Sequence, residues 1–564
     1  MKRYSVLIGL SLLLGCSSVA IEEGEESSVE NRSSISDSDH DYIADNIERY
    51  LGLNPYDSDE NDNGILDGLE SDGSFGDKFF NKQWYIRSTG TVTNGSGVSS
   101  IYGNDLNLLP IYQNFMGYNS GNNIIIQVVD GGVYGHHEDL IDNIDLSRSY
   151  NGNSVGSISK PSASDTHGTK VAGVIGARAF NGKGVRGIIP FAKIAVSNWL
   201  SYSSYTLLGK AWYSGSGAND IAISNNSWGF GFSNDIVPEA YMEKGSSSLR
   251  SGKGRLYVFP SGNSRTTRGN SNLQYLLNNR FAITVASVNH DNKYSSFSTQ
   301  GSNILVSAYS GENKLTSPTI ATTTVPHGST NTGSNITTWS NDYTRSYTYD
   351  FDGTSTAAPM VSASLGLVLE ACPSLNWRDV RYLLALSSKR IDTSNSSWIK
   401  NAAGIYHSTD YGYGLINPSK MIELCRGDYE NLAVETSFQK TIYPQQKIAD
   451  NLSTTTLNLS VQRSITLEWI EFTLNSDHSY ASDLEVYLIS PSGTKTQIMS
   501  QNNISASPSS YGTSSDWMNG GFRLSSAAFV DEKSSGEWRV EINDKSMGDS
   551  GYIKSVTLKM YGHS

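Results

Sequence analysis

The stretch YDFDGTSTAAPMVSASLGL, residues 349–367, places Ser355 at the start of a long apolar segment. This segment is rich in Ala, Val, Met and Leu, which is typical of a buried helix. Gly353 and Thr354 stand directly before the serine. A serine hydroxyl is a weak nucleophile at neutral pH. If Ser355 reacts, the rest of the chain must therefore supply a base, an acid and donors for a developing oxyanion.

Other apolar runs indicate the fold around this segment. NIIIQVVDGGV, GRLYVFPSGN and RFAITVASV suit central strands of a parallel sheet, which are buried on both faces. GTKVAGVIGARA is rich in small residues, as expected for a helix packed closely on a sheet. The alternation predicts an α/β fold with a doubly wound parallel sheet. In such a fold the functional groups gather at the carboxyl ends of the strands.

Two further polar residues stand at such strand ends or helix starts. Asp130 ends the run NIIIQVVD, and His167 opens the predicted helix in SDTHGTKVAGV. Taken singly, Asp130 is compatible with a helix cap, His167 with a buried polar contact and Ser355 with an N-cap. Together, they supply a carboxylate to orient an imidazole, an imidazole to take a proton and a hydroxyl to attack.

These motifs resemble those of the subtilisin-like serine proteases. The matching stretches are VVDGGV, HGTKVAGVI, NNSWG, FPSGN and DGTSTAAPM, and the order Asp, His, Ser is that of subtilisin. The resemblance implies that Asp130 orients His167, that His167 is the general base and acid, and that Ser355 is the nucleophile.

The same resemblance implies an oxyanion site and a substrate-binding strand. Asn263 would donate its side-chain amide to the oxyanion beside the backbone N–H of Ser355. Ser227, Trp228 and Gly229 would form the edge strand that pairs with an extended peptide.

A closer resemblance is to the kexin and furin branch of these proteases. It is carried by DKFFNKQWYI (residues 77–86), GNDLNL and DYGYGLINPSKMIEL. The end of the chain, with SYASDLEVYLISPSGTKT and SGEWRVEINDKSMGDSGYIKSVTLKMYG, resembles that branch's P domain, an all-β jelly-roll sandwich. The alternation of Leu484, Val486 and Leu488 with polar residues also favours a half-buried antiparallel sheet.

This branch binds calcium inside the protease domain, and the resemblance implies a matching site. Its side-chain ligands would be Asp77, Asp139 and Asn181, and its carbonyl ligands those of Arg178, Lys183 and Val185. Carboxylate, amide and carbonyl oxygens are suitable ligands for such a hard cation.

Two acidic patterns upstream predict further Ca²⁺ sites. The first comprises Asp37, Asp39, Asp41, Asp45 and Glu48, and the second comprises Asp59, Asn61, Asn63, Asp67 and Glu70. Both place oxygen ligands at loop positions one, three, five, nine and twelve. Gly64 stands at the sharp turn of the second loop, whereas the first has Tyr42 there. The pair resembles the calcium repeats of thrombospondin type 3 and dockerin-like segments; the alternative is a solvated acidic linker.

Substrate specificity is where the chain departs from its branch. Kexin-like enzymes cut after paired basic residues, which they bind in acidic pockets. Where the resemblance places acids, this chain has Gly131, FGF at residues 230–232, and Gln274, while Thr299 replaces a glutamate of a second calcium site. Asp235 or Glu239 could serve instead. The loss of several acids argues against strict dibasic cleavage, because a buried cation without a counter-charge is costly.

The N-terminus predicts export. Lys2 and Arg3 precede an apolar stretch at residues 6–14, and LLGC ends at Cys16. An ordinary signal peptide is one interpretation. LLGC also resembles the lipobox of bacterial lipoproteins, which implies a lipid anchor at Cys16 and, with Ser17 following, the Gram-negative outer membrane facing the periplasm or the exterior. Release from the cell is the alternative.

Charge and cysteine content bound the remaining possibilities. The 564-residue chain carries a formal net charge of -13, which argues against nucleic acid as a partner. Beyond the N-terminal segment, no stretch has the roughly 18 unbroken apolar residues of a membrane span. Cys372 and Cys425 are compatible with one disulfide or with two buried thiols.

The sequence therefore predicts a chain of five parts. These are a lipoprotein signal peptide at 1–16, a polar tether at 17–36, acidic calcium repeats at 37–76, a subtilisin-like protease domain at 77–428 and a P domain at 429–564. The predicted function is hydrolysis of peptide or protein substrates through an acyl-enzyme. A surface-binding lipoprotein with a relic protease fold and an esterase with the same triad are the alternatives. Subtilases usually carry an N-terminal pro-domain that assists folding, whereas only the tether and the acidic loops lie between Cys16 and Asp77. Either these loops substitute for a pro-domain, or a separate protein helps the chain to fold, or no helper is needed.

Overall fold

An eight-stranded sheet forms the centre of the protease region. The computed structural model describes residues 36–564 except 95–96, 119–122, 159–160, 162–164, 230–231, 233–235, 313–315, 327–344, 451–452 and 503–516. Its strand order is β3-β2-β4-β1-β5-β6-β7-β8, and all neighbouring pairs are parallel except β2–β3. The strands are β1 (Ile125–Asp130), β2 (Tyr150–Asn151), β3 (Ser154–Val155), β4 (Lys193–Asn198), β5 (Ile223–Asn225), β6 (Leu256–Pro260), β7 (Ala282–Val288) and β8 (Ile304–Tyr309).

This sheet confirms the predicted α/β class. Every residue of β1, β6, β7 and β8 is buried, as expected for parallel strands covered on both faces. Their apolar runs satisfy this burial, which explains why the continuous patterns in the sequence predicted strands.

Helices cover the sheet, and two of them bring the candidate catalytic residues to its edge. The helices are α1 (Asp45–Leu51), α2 (Leu109–Tyr112), α3 (His167–Gly176), α4 (Tyr205–Gly209), α5 (Val237–Ser248), α6 (Thr354–Ala371), α7 (Trp377–Ser387) and α8 (Pro418–Arg426). α3 begins at His167, and α6 begins one residue before Ser355. α3 and α6 pack against each other and are almost entirely buried.

A disulfide joins the ends of two of these helices. Cys372 caps α6 and Cys425 lies in the last turn of α8, and the two sulfurs are bonded. The structure thus selects the disulfide over two free thiols. The bond closes a loop of 53 residues in sequence separation, which restricts the unfolded chain.

The C-terminal region is a β-sandwich of two antiparallel sheets. One sheet has the order β13-β21-β16-β19 with β14 beside β21, and the other has the order β15-β20-β17-β18. The remaining strands are the short pairs β9 (Thr322–Thr323) with β10 (Tyr347–Thr348) and β11 (Trp398–Lys400) with β12 (Tyr406–Ser408), then β13 (Thr436–Ile442), β14 (Gln446–Lys447), β15 (Thr454–Val461), β16 (Thr466–Ser476), β17 (Leu484–Ile489), β18 (Lys495–Met499), β19 (Phe522–Ser526), β20 (Gly536–Asp544) and β21 (Tyr552–His563).

The core of this sandwich confirms the alternating pattern read from the sequence. Leu484, Val486 and Leu488 are fully buried, whereas Glu485 and Tyr487 between them are half-buried. Among the described residues, no helix is both long enough and apolar enough to span a bilayer.

Candidate active site

Asp130 and His167 form a hydrogen-bonded pair at the carboxyl end of β1. The Nδ1 atom of His167 lies 2.9 Å from Oδ2 and 3.1 Å from Oδ1 of Asp130. A Cβ atom at Gly168 would lie 2.2 Å from the carbonyl oxygen of Gly132, so glycine allows α3 to start this close to the strand. The Gly131 N–H also donates to Asp130, at 2.8 Å. The carboxylate is thus held in place to orient the imidazole.

The surroundings of His167 favour its protonated form. Burial by itself lowers the pKa of His167, but the charge and the hydrogen bond of Asp130 oppose it and bring the pKa above its ordinary value of 6.5. Asp130 is almost fully buried, whereas the His167 side chain is 38% exposed. The imidazole can therefore take a proton from a group in the cleft and remain stabilised while charged.

Ser355 lies in the first turn of α6, against the predicted substrate-binding strand. Its Oγ atom donates a hydrogen bond to the Ser227 carbonyl oxygen at 3.0 Å. Gly353 precedes the helix at φ 84°, a left-handed conformation that favours glycine. The hydroxyl must turn from Ser227 to His167 before it can be deprotonated, and such tightening is common when a substrate binds.

Asn263 is fixed by the residue before the candidate nucleophile. Its Oδ1 accepts hydrogen bonds from the backbone N–H and from the hydroxyl of Thr354, both at 2.9 Å. With the carbonyl end of the amide engaged, the Nδ2 hydrogens remain for another acceptor. A side chain at Gly353 would meet this Nδ2 at 3.2 Å. Thr354 is thus a positioning residue that the sequence motif contained but did not identify.

Trp228 anchors residues 227–229, predicted as a substrate-binding strand, which follow the end of β5 at Asn225 and form no strand in the structure. Its indole Nε1 donates to the Val129 carbonyl oxygen at 2.8 Å, one residue before Asp130. The ring contacts Trp199 with centroids 4.4 Å apart and stacks on Trp212 at 6.1 Å. The side chain of Trp228 is therefore a buried support for this segment.

Asp165 is an acidic residue of the site that the sequence analysis missed. An ideal Cβ atom at Gly131 would lie 2.8 Å from its Oδ2, so the Asp165 carboxylate fills the space beside this glycine. Its charge acts on both Asp130 and His167. The feature of the sequence that could have identified Asp165 is its position two residues before His167. An acid is therefore present beside Gly131, although Gly131 itself has none.

The remaining pocket residues are neutral or already paired. Gln274 Oε1 lies 3.2 Å from the Cβ position of Gly229 and is buried without a hydrogen bond. The prediction that Glu239 could supply a pocket acid is wrong, because Glu239 forms a bidentate ion pair with Arg523, at 2.6 and 2.8 Å. Thr299 Oγ1 accepts from the Ser264 N–H at 2.8 Å. Phe230 and Asp235 lie outside the described residues.

The predicted internal calcium ligands lie together, but they have protein partners. Asp139 accepts hydrogen bonds from Asn181 Nδ2 at 2.8 Å and from Val185 N–H at 2.9 Å. Asp77 accepts from Phe180 N–H at 2.8 Å and from the guanidinium of Arg186 at 2.7 Å.

Two further oxygens of this set also accept hydrogen bonds, whereas the carbonyls of Arg178 and Val185 accept none within the described part of the chain. Asn181 Oδ1 accepts from Lys183 N–H, and the Lys183 carbonyl accepts from Lys78 N–H. Arg186 and Asp77 are both fully buried, so a second cation beside Asp77 would be repelled. As arranged, these residues fit an ion pair with Arg186 and do not fit a calcium ion.

The first acidic loop is arranged differently. Glu48 and Asp41 are fully buried, and neither Glu48 oxygen nor Asp41 Oδ2 has a hydrogen-bond partner. Tyr42 takes the left-handed conformation, with φ 79°, that Gly64 takes in the second loop, with φ 85°. The first loop therefore makes the same sharp turn without a glycine. Its buried, unpartnered oxygens fit a hard cation.

Asp45 and the second acidic loop satisfy their own oxygens. Asp45 accepts hydrogen bonds from Ser36, Ser38 and Arg49, and these lower its pKa against the opposing effect of burial. In the second loop the amides of Asn61 and Asn63 donate to Glu70, Asp59 accepts from the N–H groups of Asn63 and Gly64, and Asp67 accepts from that of Glu60. A calcium ion in the second loop stays a prediction.

Comparisons with known proteins agree with this geometry. The model of the Subtilase family matches residues 121–414, and that of the proprotein convertase P-domain matches residues 467–560. The chain is 29% identical to Aeromonas extracellular serine protease from Aeromonas sobria over 83% of this chain and 84% of that protein. It is 27% identical to kexin of Saccharomyces cerevisiae over 87% of this chain, but spans only 57% of kexin.

A solved structure shows the same architecture. The crystal structure of Aeromonas sobria serine protease in complex with the chaperone ORF2 matches with a TM-score of 0.78 and 25% identity, over 86% of this chain and 95% of that one. The chain therefore belongs to the subtilase family of serine endopeptidases and carries a proprotein convertase P-domain after its protease domain.

Proposed function

We propose that this protein cleaves peptide bonds with Ser355 as nucleophile, His167 as general base and acid, and Asp130 as the group that orients His167. The observation that carries the proposal is the His167–Asp130 hydrogen bond of 2.9 Å at the sheet edge where α6 presents Ser355. The Asn263 amide, held by Thr354, and the Ser355 backbone N–H would bind the oxyanion.

These groups and one water molecule account for both halves of the reaction. Ser355 Oγ bonds to the peptide carbonyl carbon as its proton passes to His167, and the carbonyl oxygen becomes the oxyanion. The C–N bond then breaks, and His167 gives the proton to the leaving amine. Water, deprotonated by His167, attacks the resulting ester and releases the carboxylic acid and the Ser355 hydroxyl.

A fluorophosphonate probe tests the nucleophile. Ser355→Ala should abolish both labelling and peptide hydrolysis, because no other group replaces the attacking oxygen. Ser364→Ala, in the same helix and away from these contacts, is the matched control and should label as the parent does. Labelling or hydrolysis that survives in Ser355→Ala would assign the chemistry elsewhere. If the parent protein is labelled and cleaves esters but no peptides, an esterase is favoured. If the parent is neither labelled nor active, the protease fold is a relic without catalytic function.

We further propose that a lipid anchor at Cys16 holds the protein to the outer membrane. The support is the LLGC sequence, which lies outside the described residues. Cys16→Ser should move the protein from the membrane fraction to the soluble fraction or block its processing. A Cys16→Ser protein that stays in the membrane fraction would contradict the anchor.

We also propose that a separate protein helps this chain to fold. The support is that the Aeromonas sobria protease was crystallised in complex with a chaperone. Refolding yield, measured with and without a host lysate fraction, tests this. Full recovery of active protein from the purified chain alone would argue that no helper is required.

A further inference from the structure

The first acidic loop collects more negative charge than its hydrogen bonds can satisfy. Asp37, Asp39 and Asp41 each place a carboxylate oxygen within 4.8 Å of the others. Glu48, on α1, is fully buried, and both of its oxygens lack a hydrogen-bond partner. Asp41 Oδ2 and both Asp39 oxygens are also buried without a partner.

Such a cluster is costly unless a cation joins it. A buried carboxylate must be paired, protonated or bound to a metal ion. Several carboxylate oxygens on one short turn match the hard, oxygen-rich coordination of Ca²⁺.

This loop rests directly on the second loop at Gly68. A Cβ atom at Gly68 would lie 2.2 Å from the Asp41 carbonyl oxygen and 3.0 Å from Tyr42 Cβ. The backbone that carries a candidate ligand is therefore in contact with Gly68. Any change in the position of Asp41 must displace Gly68 or open this contact.

Gly68 in turn contacts the buried ion pair of the protease region. Its carbonyl oxygen accepts a hydrogen bond from Arg186 Nη1 at 2.8 Å, and Arg186 Nε donates to Asp77 at 2.7 Å. The Arg186 guanidinium also lies over Phe80 and Phe180, 4.0 and 4.2 Å from their ring centroids. Arg186 itself lies in the segment that follows α3, the helix of His167.

A second contact joins α1 to the protease region. The Tyr50 ring, two residues after Glu48, lies 4.7 Å from the Tyr118 ring and 6.2 Å from the Phe191 ring. Both ends of the candidate site are thus connected to the protease region, the Asp41 backbone through Gly68 and the helix of Glu48 through Tyr50.

We propose that Ca²⁺ bound by Asp39, Asp41 and Glu48 stabilises the protease domain from outside, through Gly68 and Arg186. Arg186 supplies the positive charge at Asp77 that an internal calcium ion supplies in the resemblance described above. Calcium stabilisation of this protease then depends on the N-terminal loop and not on Asp139. The proposal does not depend on catalysis, so its failure and that of the proposed peptidase are distinguishable.

Calcium titration of the full chain tests the site. CaCl₂ should raise the melting temperature of the parent, and calorimetry should show a calcium affinity that falls at least about tenfold in Glu48→Gln and in Asp39→Asn, because each loses a charged ligand. Two variants guard against a failure of either one to fold. Glu60→Gln, on the second loop, is the matched control and should keep the parent's calcium response. If Asp139→Asn or Glu70→Gln abolishes the response while Glu48→Gln keeps it, the site is wrong.

Hydrogen exchange tests the connection. In the parent, calcium should slow the exchange of the Phe180 and Arg186 amides, which bond to Asp77 and Gln83. In Glu48→Gln this protection should disappear. Protection confined to residues 36–76 in the parent would show a local site and overturn the connection to the protease domain.

Discussion

Two carboxylates set the proton chemistry of His167. Asp130 holds Nδ1 at 2.9 Å, and Asp165, beside Gly131, adds a second negative charge. Both raise the pKa of the imidazole against the effect of burial, which lowers it. A base with a raised pKa is protonated over a wider range of acidic pH, so activity should be lost on the acidic side before an ordinary histidine would titrate.

The pH profile of kcat/KM should show this balance. Activity requires neutral His167, so it should fall as the pH decreases through a pKa above 6.5. Asp165→Asn removes a negative charge, so the acidic midpoint should move to lower pH while the rate near pH 9 stays within about twofold of the parent. It should also weaken the cleavage of peptides with a basic residue near the scissile bond more than that of neutral peptides. Asp142→Asn, at an exposed acid, is the control; an unchanged midpoint in Asp165→Asn would remove Asp165 from the site.

At the scale of elements, the junction of β6 with α6 positions the amide of the proposed oxyanion site. Asn263 follows β6, and Thr354 is the first residue of α6. Their two hydrogen bonds of 2.9 Å tie the loop to the helix and fix the direction of the Asn263 amide. A preorganised donor of this kind acts on the transition state more than on the bound substrate.

Variants at this junction should change kcat with little change in KM. Asn263→Ala should lower kcat by about 10²–10³-fold, the loss typical of one oxyanion donor. Thr354→Val, which loses only the hydroxyl, should lower kcat less, and Thr354→Ser should restore it because the hydroxyl returns. Steady-state kinetics with a peptide substrate measure these effects. Equal kcat in the parent and Asn263→Ala would exclude Asn263 from the oxyanion site.

At the scale of the whole molecule, ion pairs join the P domain to the protease domain. Arg523, on β19, pairs with Glu239, on α5, and Arg378, on α7, pairs with Glu468, on β16, with a shortest distance of 2.6 Å in both pairs. The aromatic ring of Phe232, three residues after Gly229, stacks on Phe522 at 5.6 Å. Phe232 therefore rests on the P domain, a few residues after the predicted substrate-binding segment.

Removing one of these interdomain ion pairs should lower the free energy of unfolding of the whole chain. Arg523→Ala leaves Glu239 largely buried without its partner and should cost about 3 kcal/mol of unfolding free energy. The double variant Glu239→Gln with Arg523→Met should cost less, because no charge is stranded. Lys495→Ala, at an exposed pair with Glu541, should change stability by less than about 0.5 kcal/mol. Chemical denaturation measures the stability of all three variants. Equal stability of Arg523→Ala and Lys495→Ala would contradict a stabilising role of the Arg523–Glu239 ion pair.

The sequence by itself determined the elements whose chemistry is local. Parallel strands buried on both faces require continuous apolar runs, so β1, β6 and β7 were predictable. Asp130, His167 and Ser355 each stand in a short motif beside such an element, and the sequence predicted all three. It also predicted the acids of the first loop as candidate calcium ligands, because calcium ligands must follow one another at fixed spacing on a short turn.

The tertiary structure decided which of these groups have partners. Arg186 reaches Asp77 across 109 residues and Arg523 reaches Glu239 across 284, so neither pairing has a local sequence signal. Within the first loop, Asp45 and Glu48 look alike in the sequence, yet Asp45 is hydrogen-bonded and Glu48 is buried without a partner. Whether a carboxylate is free to bind an ion or a substrate depends on donors brought near it by packing, and only the folded chain sets those distances.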